Sequence, residues 1–462
     1  MTSERDLYGC SPIDEQGYSP LSDRYIDPRV QENDIDPTDI GDVRQRTKSV
    51  IQQALQHELN VLLQSPPNGG KTTSAFDIAA QTDKPLTYLT KRIDLYEQAI
   101  ELCKHRGIEH AVVPSPYRDC SAFDKDSSAY DPLAVQLYAL GISAAEIHTS
   151  PELPCSPDCG YMQAWDEFDP DTTDVVIGHY SHAYIQSIIE DRIVIVDEFP
   201  GDAFEQEFTN HEQEMTNFFQ NADGLPFEDF FDPIEDRGRL FDQAHEWFLD
   251  NGVTADPETI ADLEDSERYH TLTPFLAYSM LMAVDHGNGF ELPTLNLLDP
   301  DHENYPDDLE LNRAVAIDRE RAEFFILTQP DLTDARAVVG LDGTPTPKLW
   351  ELATGIDFDH QRVLPDADAR NQYLREAFGI MIKQANGSLK PYHSGDVTLD
   401  RDAGLLYGVE VAEGECPSVI TAENAREQYE RSEVTEHIDE MTNFANVLSS
   451  NDFSQKIIGV IL

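Results

Sequence analysis

Basic residues are scarce in this chain of 462 residues. It has 32 Lys and Arg against 88 Asp and Glu, which gives a formal net charge of −56 at pH 7. Such a charge repels polyanions in dilute buffer and excludes a basic DNA-coating protein. Because the Debye length falls to about 3 Å at 1 M salt, the charge does not exclude a nucleic-acid partner at molar salt. The acidic excess is spread over the whole chain, so no single acidic tail explains it.

Long apolar runs are also missing. No segment reaches the roughly 18 apolar residues that a membrane-spanning helix needs. The first ten residues, MTSERDLYGC, lack the basic and then apolar layout of a signal peptide. We therefore expect a cytoplasmic protein with no membrane partner. Six cysteines are too few for a secreted disulfide scaffold of this length, yet four of them fall between positions 103 and 159.

The fold class follows from the hydrophobic pattern. Hydrophobic residues make up 40% of the chain, enough for real cores, and the length suggests about three structural units. Short apolar runs with strand character alternate with amphipathic helical stretches. This alternation predicts an α/β protein with a parallel sheet. The predicted strands cover residues 61–63, 85–90, 174–178, 193–197 and 337–341, with a last candidate at 418–421.

A glycine-containing loop follows the first predicted strand. It reads SPPNGGKTT and fits the phosphate-loop pattern, except that serine stands first where glycine is usual. Its glycines let backbone N–H groups approach phosphates, its lysine can reach the β and γ phosphates, and its first threonine can hold Mg²⁺. An ordinary Pro-Gly turn before a helix is the alternative. The predicted nucleotide-binding residues are Ser65, Pro66, Pro67, Asn68, Gly69, Gly70, Lys71, Thr72 and Thr73.

A second apolar strand ends in two carboxylates. Residues 192–200 read RIVIVDEFP. We predict that Asp197 joins Thr72 in holding Mg²⁺ and that Glu198 orients and deprotonates the attacking water, with Lys71 as the third catalytic residue. The alternative is that the acidic pair is the solvated start of a loop.

The clustered cysteines call for an explanation. Sixteen residues separate Cys103 from Cys120, and three separate Cys155 from Cys159. Four thiolates can hold a [4Fe–4S] cluster or a tetrahedral zinc ion. Composition does not separate these two, and buried or loop cysteines without a metal are the third possibility.

The order of these motifs resembles that of superfamily 2 helicases of the DEAD/DEAH type. The loop at 65–73 resembles motif I, and residues 88–98 resemble motif Ia, which touches the DNA backbone. Residues 197–200 resemble the DEAD/DEAH box, and residues 341–346 resemble motif III, with Gly343 where alanine is usual. The resemblance implies a RecA-like P-loop NTPase fold, with ATP and Mg²⁺ as cofactors. It also implies that Gln45 reads the adenine base, as helicase Gln motifs do; a solvated glutamine is the alternative.

Two insertions narrow the resemblance to the XPD-like and DinG-like iron–sulfur helicases. In those proteins four cysteines lie between motifs Ia and II, and an arch domain lies between motifs II and III. This chain has its cysteines and a stretch of helical pattern in the same places. The resemblance favours a [4Fe–4S] cluster over zinc and implies single-stranded or forked DNA as the partner. The acidic composition resembles that of proteins from salt-in halophilic archaea.

These motifs divide the chain into expected regions. The first RecA-like lobe is interrupted twice, and a linker with an incomplete second lobe follows it. The expected boundaries are 1–42 for a polar lead-in, 43–103, 165–200 and 334–356 for the first lobe, 104–164 for the cysteine-rich insertion, 201–333 for a helical arch-like insertion, and 357–462 for the linker and partial second lobe.

The second lobe shows only its opening strand and helix. No Gln-x-x-Gly-Arg-x-x-Arg pattern of motif VI occurs in the sequence. We therefore expect an ATP-hydrolysing DNA helicase or translocase subunit, to which a second polypeptide supplies the rest of the lobe. The alternative is a degenerate or split P-loop protein that binds ATP and acts as a nucleotide-gated scaffold without efficient turnover.

Overall fold

The protein is described here by a computed structural model. It covers residues 35–91, 93–149, 159–235, 237–253, 269–293, 313–377, 379, 397–443 and 459–461. The chain forms two compact units, Met1–Ile380 and Met381–Leu462. Within the described ranges, no helix is long and apolar enough to span a membrane.

A parallel sheet of seven strands is the centre of the first unit. Its spatial order is β12-β1-β11-β5-β2-β4-β3, and every neighbouring pair is parallel. The strands are β1 (Val61–Gln64), β2 (Leu86–Thr90), β3 (His110–Val112), β4 (Val175–His179), β5 (Ile193–Asp197), β11 (Ala337–Asp342) and β12 (Asp359–Arg362). The α/β class predicted from the alternating pattern is thus confirmed.

Helices cover both faces of this sheet. Three of them, α1 (Ile40–His57), α2 (Lys71–Ala79) and α3 (Ile93–Arg106), cover one face. Asp39 caps the N-terminus of helix α1. Its carboxylate accepts a hydrogen bond from Gly41 N and so satisfies an N–H group of the first turn. The opposite face packs against Trp350, which is fully buried. Because both faces are covered, β2, β5 and β11 are buried along their whole length.

Two predicted boundaries of the first lobe are wrong. Residues 357–462 were expected to lie outside it, but β12 pairs with β1, with Val61 opposite Asp359. The cysteine-rich insertion was expected to begin at 104, but β3 joins the sheet beside β4. Both are short edge strands with a weak hydrophobic pattern, because β3 has only three residues and β12, with the sequence DHQR, has no apolar residue.

The cysteine-rich insertion between β3 and β4 consists of short helices with a small core of their own. The core includes Phe123, Ala134, Ile147 and Tyr161. The helices are α4 (Pro116–Asp119), α5 (Pro132–Ala139), α6 (Ala144–Thr149) and α7 (Gly160–Glu167).

The second insertion was expected to be helical, and it does contain five helices among its described residues, but the expectation was incomplete. It contains an antiparallel sheet of five strands in the order β6-β10-β9-β8-β7. Residues 323–328, EFFILT, bury alternate side chains as a one-sided strand does, but the acidic context hid this pattern. Its strands are β6 (Glu205–Phe208), β7 (Ala283–Asp285), β8 (Glu291–Pro293), β9 (Arg313–Asp318) and β10 (Glu323–Thr328); its helices are α8 (Gly201–Phe204), α9 (Glu212–Asn221), α10 (Asp232–Glu235), α11 (Arg237–Asn251) and α12 (Thr273–Met282).

Two further helices, α13 (Pro347–Thr354) and α14 (Ala367–Gln372), complete the first unit. A π-helical turn, Tyr373–Ala377, continues directly from α14.

The second unit is a small α/β body. Its three parallel strands, β13 (Ser418–Thr421), β14 (Met441–Asn443) and β15 (Gly459–Ile461), have the order β14-β13-β15. Helices α15 (Leu399–Glu413) and α16 (Glu423–Glu430) accompany them, and the predicted strand at 418–421 is confirmed. The arginines of α16 and its C-terminal cap form ion pairs with glutamates of the helix, Arg426 with Glu423 and the cap residue Arg431 with Glu427.

A buried arginine, Arg192, holds the start of β5 in place through hydrogen bonds. Arg192 is 4% exposed, and its guanidinium donates to Thr87 Oγ1 at 3.0 Å and to the carbonyl of Leu86 at 2.7 Å. It also reaches the carbonyls of Pro170 and Thr173, just before β4. Burial lowers the pKa of Arg192 to about 10, which still leaves it charged at neutral pH.

We expect Arg192→Leu to lower the free energy of unfolding by about 3–5 kcal/mol, because buried carbonyls lose charged donors. Arg336→Leu is the matched control. Arg336 is an exposed partner of Glu58 at 3.6 Å, and we expect about 0–1 kcal/mol for its loss. Thermal unfolding of both variants in molar KCl measures the difference. Equal shifts for the two variants would contradict this account of Arg192.

Candidate nucleotide and metal sites

The predicted catalytic residues lie at or just after the carboxyl ends of β1 and β5, two strands of the large sheet. Strand β11 lies between β1, which leads into the glycine loop, and β5, which carries the acidic pair. Its backbone joins the two: Ser65 N donates to Asp342 O at 2.9 Å, and Glu198 N donates to Leu341 O at 2.8 Å. Ligand sites of open parallel sheets form at this edge.

The glycine loop adopts a conformation that its residues permit. Asn68 and Gly70 have φ values of 57° and 82°, in the left-handed region that asparagine and glycine enter most readily. At Gly69 a Cβ atom would lie 2.3 Å from Ser65 Oγ and 2.8 Å from the carbonyl of Pro66, so only glycine fits. Helix α2 begins immediately afterwards at Lys71, and no side chain caps its N-terminus. Its first N–H groups and its dipole therefore face the loop.

Contacts from outside the motif hold the loop. Ser65, the unusual first residue, is fully buried, and its hydroxyl bonds that of Thr47 on α1 at 2.8 Å. Arg44 Nε donates to the carbonyl of Asn68 at 3.0 Å. Tyr373, fully buried in the π-helical turn, donates to the carbonyl of Pro67 at 3.0 Å. The sequence analysis missed Thr47, Arg44 and Tyr373, because each is distant from the loop in sequence.

The loop and the acidic pair meet directly. Lys71 Nζ lies 2.8 Å from Glu198 Oε1, and Thr72 Oγ1 donates to Asp197 Oδ2 at 2.7 Å. Tyr88 on β2 donates to the same Asp197 oxygen at 2.5 Å. Tyr88 is 1% exposed, so it serves the carboxylate rather than an external ligand. The structure thus brings together the three predicted catalytic side chains, Lys71, Asp197 and Glu198, and the predicted Mg²⁺ ligand Thr72.

Glu198 sits in a constrained turn. Its φ of 71° is uncommon for a glutamate, and such strain is of order 1–3 kcal/mol. The hydroxyl of Tyr180 holds the turn through the carbonyls of Asp197 and Glu198. Loss of water around its carboxyl group raises the pKa of Glu198 from 4.5, while the Lys71 ammonium acts in the opposite direction. A carboxylate with a raised pKa is suited to accept a proton.

The motif III region lies beside this pair. The carboxylate of Asp342 accepts bonds from Trp350 Nε1 and Thr344 N, both at 2.9 Å. Its negative charge also raises the pKa of Glu198. A Cβ atom on Gly343 would lie 4.0 Å from Lys71 Nζ, an ordinary contact distance.

The remaining predicted residues lie around this centre. Thr73 is exposed on α2, and Gln45 is exposed on α1 with its amide 3.5 Å from Ser49 Oγ. Lys91 is exposed after the end of β2, near His179 at the end of β4. The neighbouring Arg92 is outside the described residues.

The structure divides the four cysteines. Cys120 and Cys159 lie together in the cysteine-rich insertion, and His148 joins them; the three ligand atoms are within 4.8 Å of one another. Cys103 is instead buried in the core of the large sheet, where burial raises the pKa of its thiol to about 12. Cys155 lies outside the described residues. The sequence analysis missed His148, because a single histidine far from both thiols in sequence gives no spacing signal.

No protein-family model and no curated protein matches the sequence. Among solved structures, the chain is similar to an XPD helicase, with 11% identity over 87% of this chain and 79% of that one and a TM-score of 0.40. It is also similar to an apo XPD, with 12% identity, 90% and 77% coverage and a TM-score of 0.37. A third is Xpd4 of S. tokodaii, with 12% identity, 90% and 80% coverage and a TM-score of 0.36.

We expect Gly69→Ala to lower the free energy of unfolding by about 1–3 kcal/mol, because the new methyl group would collide with Ser65 and with the backbone of Pro66. Gly343→Ala is the matched control, since a methyl group there meets only ordinary contacts. It should change stability by no more than about 0.5 kcal/mol. Denaturant unfolding compares the two, and a tolerated Gly69→Ala would contradict the crowding described for this loop.

Proposed function

We propose that this chain is an ATP-hydrolysing subunit of a nucleic-acid helicase or translocase. The observation that carries the proposal is the double contact between loop and acidic pair, Lys71 with Glu198 at 2.8 Å and Thr72 with Asp197 at 2.7 Å. These are the residue types that bind and hydrolyse a triphosphate at the edge of a P-loop sheet.

Each side chain has a role that its surroundings suit. A triphosphate would compete with Glu198 for the Lys71 ammonium, which frees the glutamate to orient and deprotonate water. The hydroxyl of Thr72 and the carboxylate of Asp197 are hard oxygen donors and fit Mg²⁺. When bound, that ion neutralises charge on the β and γ phosphates. Tyr88 keeps Asp197 in place by donating to its carboxylate.

A nucleic-acid strand is proposed to cross the carboxyl edge of β2 and β4. Lys91 is exposed there, in a chain with few cations, and a lysine at such a position suits a phosphate contact. Molar salt would screen the net charge of −56, so the encounter requires the high-salt cytoplasm that the composition suggests. Single-stranded or forked DNA is the proposed substrate.

The second candidate is a nucleotide-gated scaffold that binds ATP without efficient turnover. It is favoured by the arginines of α16 and its C-terminal cap, which are paired with glutamates of the helix. Motors of this type depend on an arginine worth 10³- to 10⁵-fold in rate. A second polypeptide that supplies such an arginine is proposed as a partner in the motor.

Steady-state ATP hydrolysis and ATP binding in molar KCl with Mg²⁺, with and without single-stranded DNA, test these proposals. We expect Glu198→Gln to bind ATP but lose about 10²- to 10⁴-fold in kcat, because it removes the base. Lys71→Ala should lose ATP affinity as well. Lys104→Ala, at an exposed lysine paired with Glu101, is the control and should behave as the unmodified protein.

The outcomes separate the candidates. DNA-stimulated turnover that depends on Glu198, and stimulation that falls in Lys91→Ala while basal turnover stays, support the motor. ATP binding without turnover supports the scaffold. Failure to bind ATP would end both proposals.

The pH dependence of hydrolysis tests the role of Glu198 separately. The base must be ionised, so kcat/KM should rise with pH through a group whose pKa lies above 4.5. Asp342→Asn removes a negative charge that raises this pKa, and the acidic limb should therefore move to lower pH. Asp334→Asn, at an exposed position, should leave the limb in place. If Asp342→Asn shifts the acidic side of the kcat/KM profile to higher pH, or leaves it in place, Glu198 is not the base.

A further inference from the structure

The cysteine-rich insertion gathers three metal-binding side chains from three separate segments. Cys120 follows α4, His148 lies in α6, and Cys159 immediately precedes α7. One sulfur or nitrogen atom from each lies within 4.8 Å of the other two. Cys120 is 3% exposed and His148 is fully buried, so the group lies within the small core of the insertion.

His148 is arranged as a ligand. Its Nδ1 lies 2.5 Å from the carbonyl of Ala144, which fixes the proton on that nitrogen and leaves the Nε2 lone pair available. Nε2 is buried and has no hydrogen-bond partner among the described residues. The ring is held between Phe123, stacked at 6.1 Å, and Tyr161 at 4.7 Å. A backbone carbonyl on the remote ring nitrogen is the usual support of a metal-bound histidine.

A close backbone contact also brings the two cysteines together. At Gly160 a Cβ atom would lie 2.6 Å from the carbonyl of Asp119, so only glycine lets the two turns come this close. Because Asp119 precedes Cys120 and Gly160 follows Cys159, this contact places the two thiols side by side.

The spacing of the ligand atoms distinguishes one ion from a cluster. A tetrahedral zinc with Zn–S bonds of about 2.3 Å places its sulfur ligands about 3.8 Å apart. A separation within 4.8 Å needs only a small closure to reach this. The thiolates of a [4Fe–4S] cluster bind different iron atoms on its corners, and their sulfurs therefore lie farther apart. Zinc also accepts mixed sulfur and imidazole ligands, whereas such clusters are held by thiolates in the usual case.

The four-cysteine cluster implied by the motif resemblance does not fit these positions. Cys103, one of its expected ligands, lies on α3 in the core of the large sheet, together with Tyr96, Ala99 and Ile108. The residue that joins Cys120 and Cys159 is instead His148, through its imidazole.

We propose that Cys120, His148 and Cys159 supply three of the four ligands of a single structural Zn²⁺ ion. The ion joins three segments of an insertion whose own hydrophobic core is small, so it contributes directly to the folding of that insertion. This site is separate from the residues proposed for ATP hydrolysis, and either proposal can fail while the other stands.

Metal analysis of the purified full chain is the first test. We expect one zinc per chain, no acid-labile sulfide and no visible absorbance of an iron–sulfur cluster. X-ray absorption at the zinc edge should show sulfur at about 2.3 Å and at least one imidazole nitrogen at about 2.0–2.1 Å. Co²⁺ exchanged for zinc should give the visible spectrum of a tetrahedral site with thiolate ligands. These measurements use the unmodified protein and do not depend on whether a variant folds.

Variants assign the ligands. His148→Gln and Cys159→Ser should each weaken Zn²⁺ binding at least tenfold in a chelator competition. Cys103→Ala, which alters a thiol in a different core, and Cys416→Ser, in the second unit, should keep one zinc per chain. Circular dichroism and thermal unfolding report whether each variant remains folded.

Several results would overturn the proposal. Iron with sulfide, zinc surrounded by four sulfurs, or a chain that takes up neither Zn²⁺ nor Co²⁺ would each do so. The same holds if zinc is lost in Cys103→Ala and retained in His148→Gln.

Discussion

The position of strand β11 between β1 and β5 is the constraint on which the candidate nucleotide site depends. Its backbone accepts from Ser65 on one side and from Glu198 on the other, which sets the two loops at a fixed separation. Lys71 and Glu198, 127 positions apart in sequence, can therefore meet. Because the second insertion lies between β5 and β11, its ends must return the chain to the middle of the sheet. The insertion is free to vary in internal structure as long as this return is kept.

The parts of the site that the sequence predicts are those that are local in the chain. The glycine loop and the apolar strand ending in Asp197 and Glu198 each carry their chemistry within a few residues. The side chains that support the site are not local in the chain. Tyr88 and Tyr373 come from a different strand and from a helical turn, and no short sequence pattern identifies them as supports. The antiparallel sheet of the second insertion was missed for a related reason. Its short strands depend on partners distant in sequence, and propensity alone is a weak guide to such pairing.

For the proposed metal site too, the sequence indicates the kind of site and the fold determines which residues take part. The clustering of cysteines indicated a metal, but the fold selects which side chains can share one ion. Cys103 lies on the apolar face of a helix and packs as a small hydrophobic residue, as buried cysteines often do. His148 acquires its role only when α6 folds against α4 and α7. Spacing in the sequence therefore indicated the class of site and could not give the set of ligands.

The hydrogen bond from Tyr373 to the carbonyl of Pro67 connects the glycine loop to the π-helical turn near the end of the first unit. Past this turn the chain continues into the second unit at Met381. A change in the loop backbone at Pro67 would break this bond or move the phenol of Tyr373. The conformation of the glycine loop is therefore coupled to that of a helical turn 306 positions away in sequence.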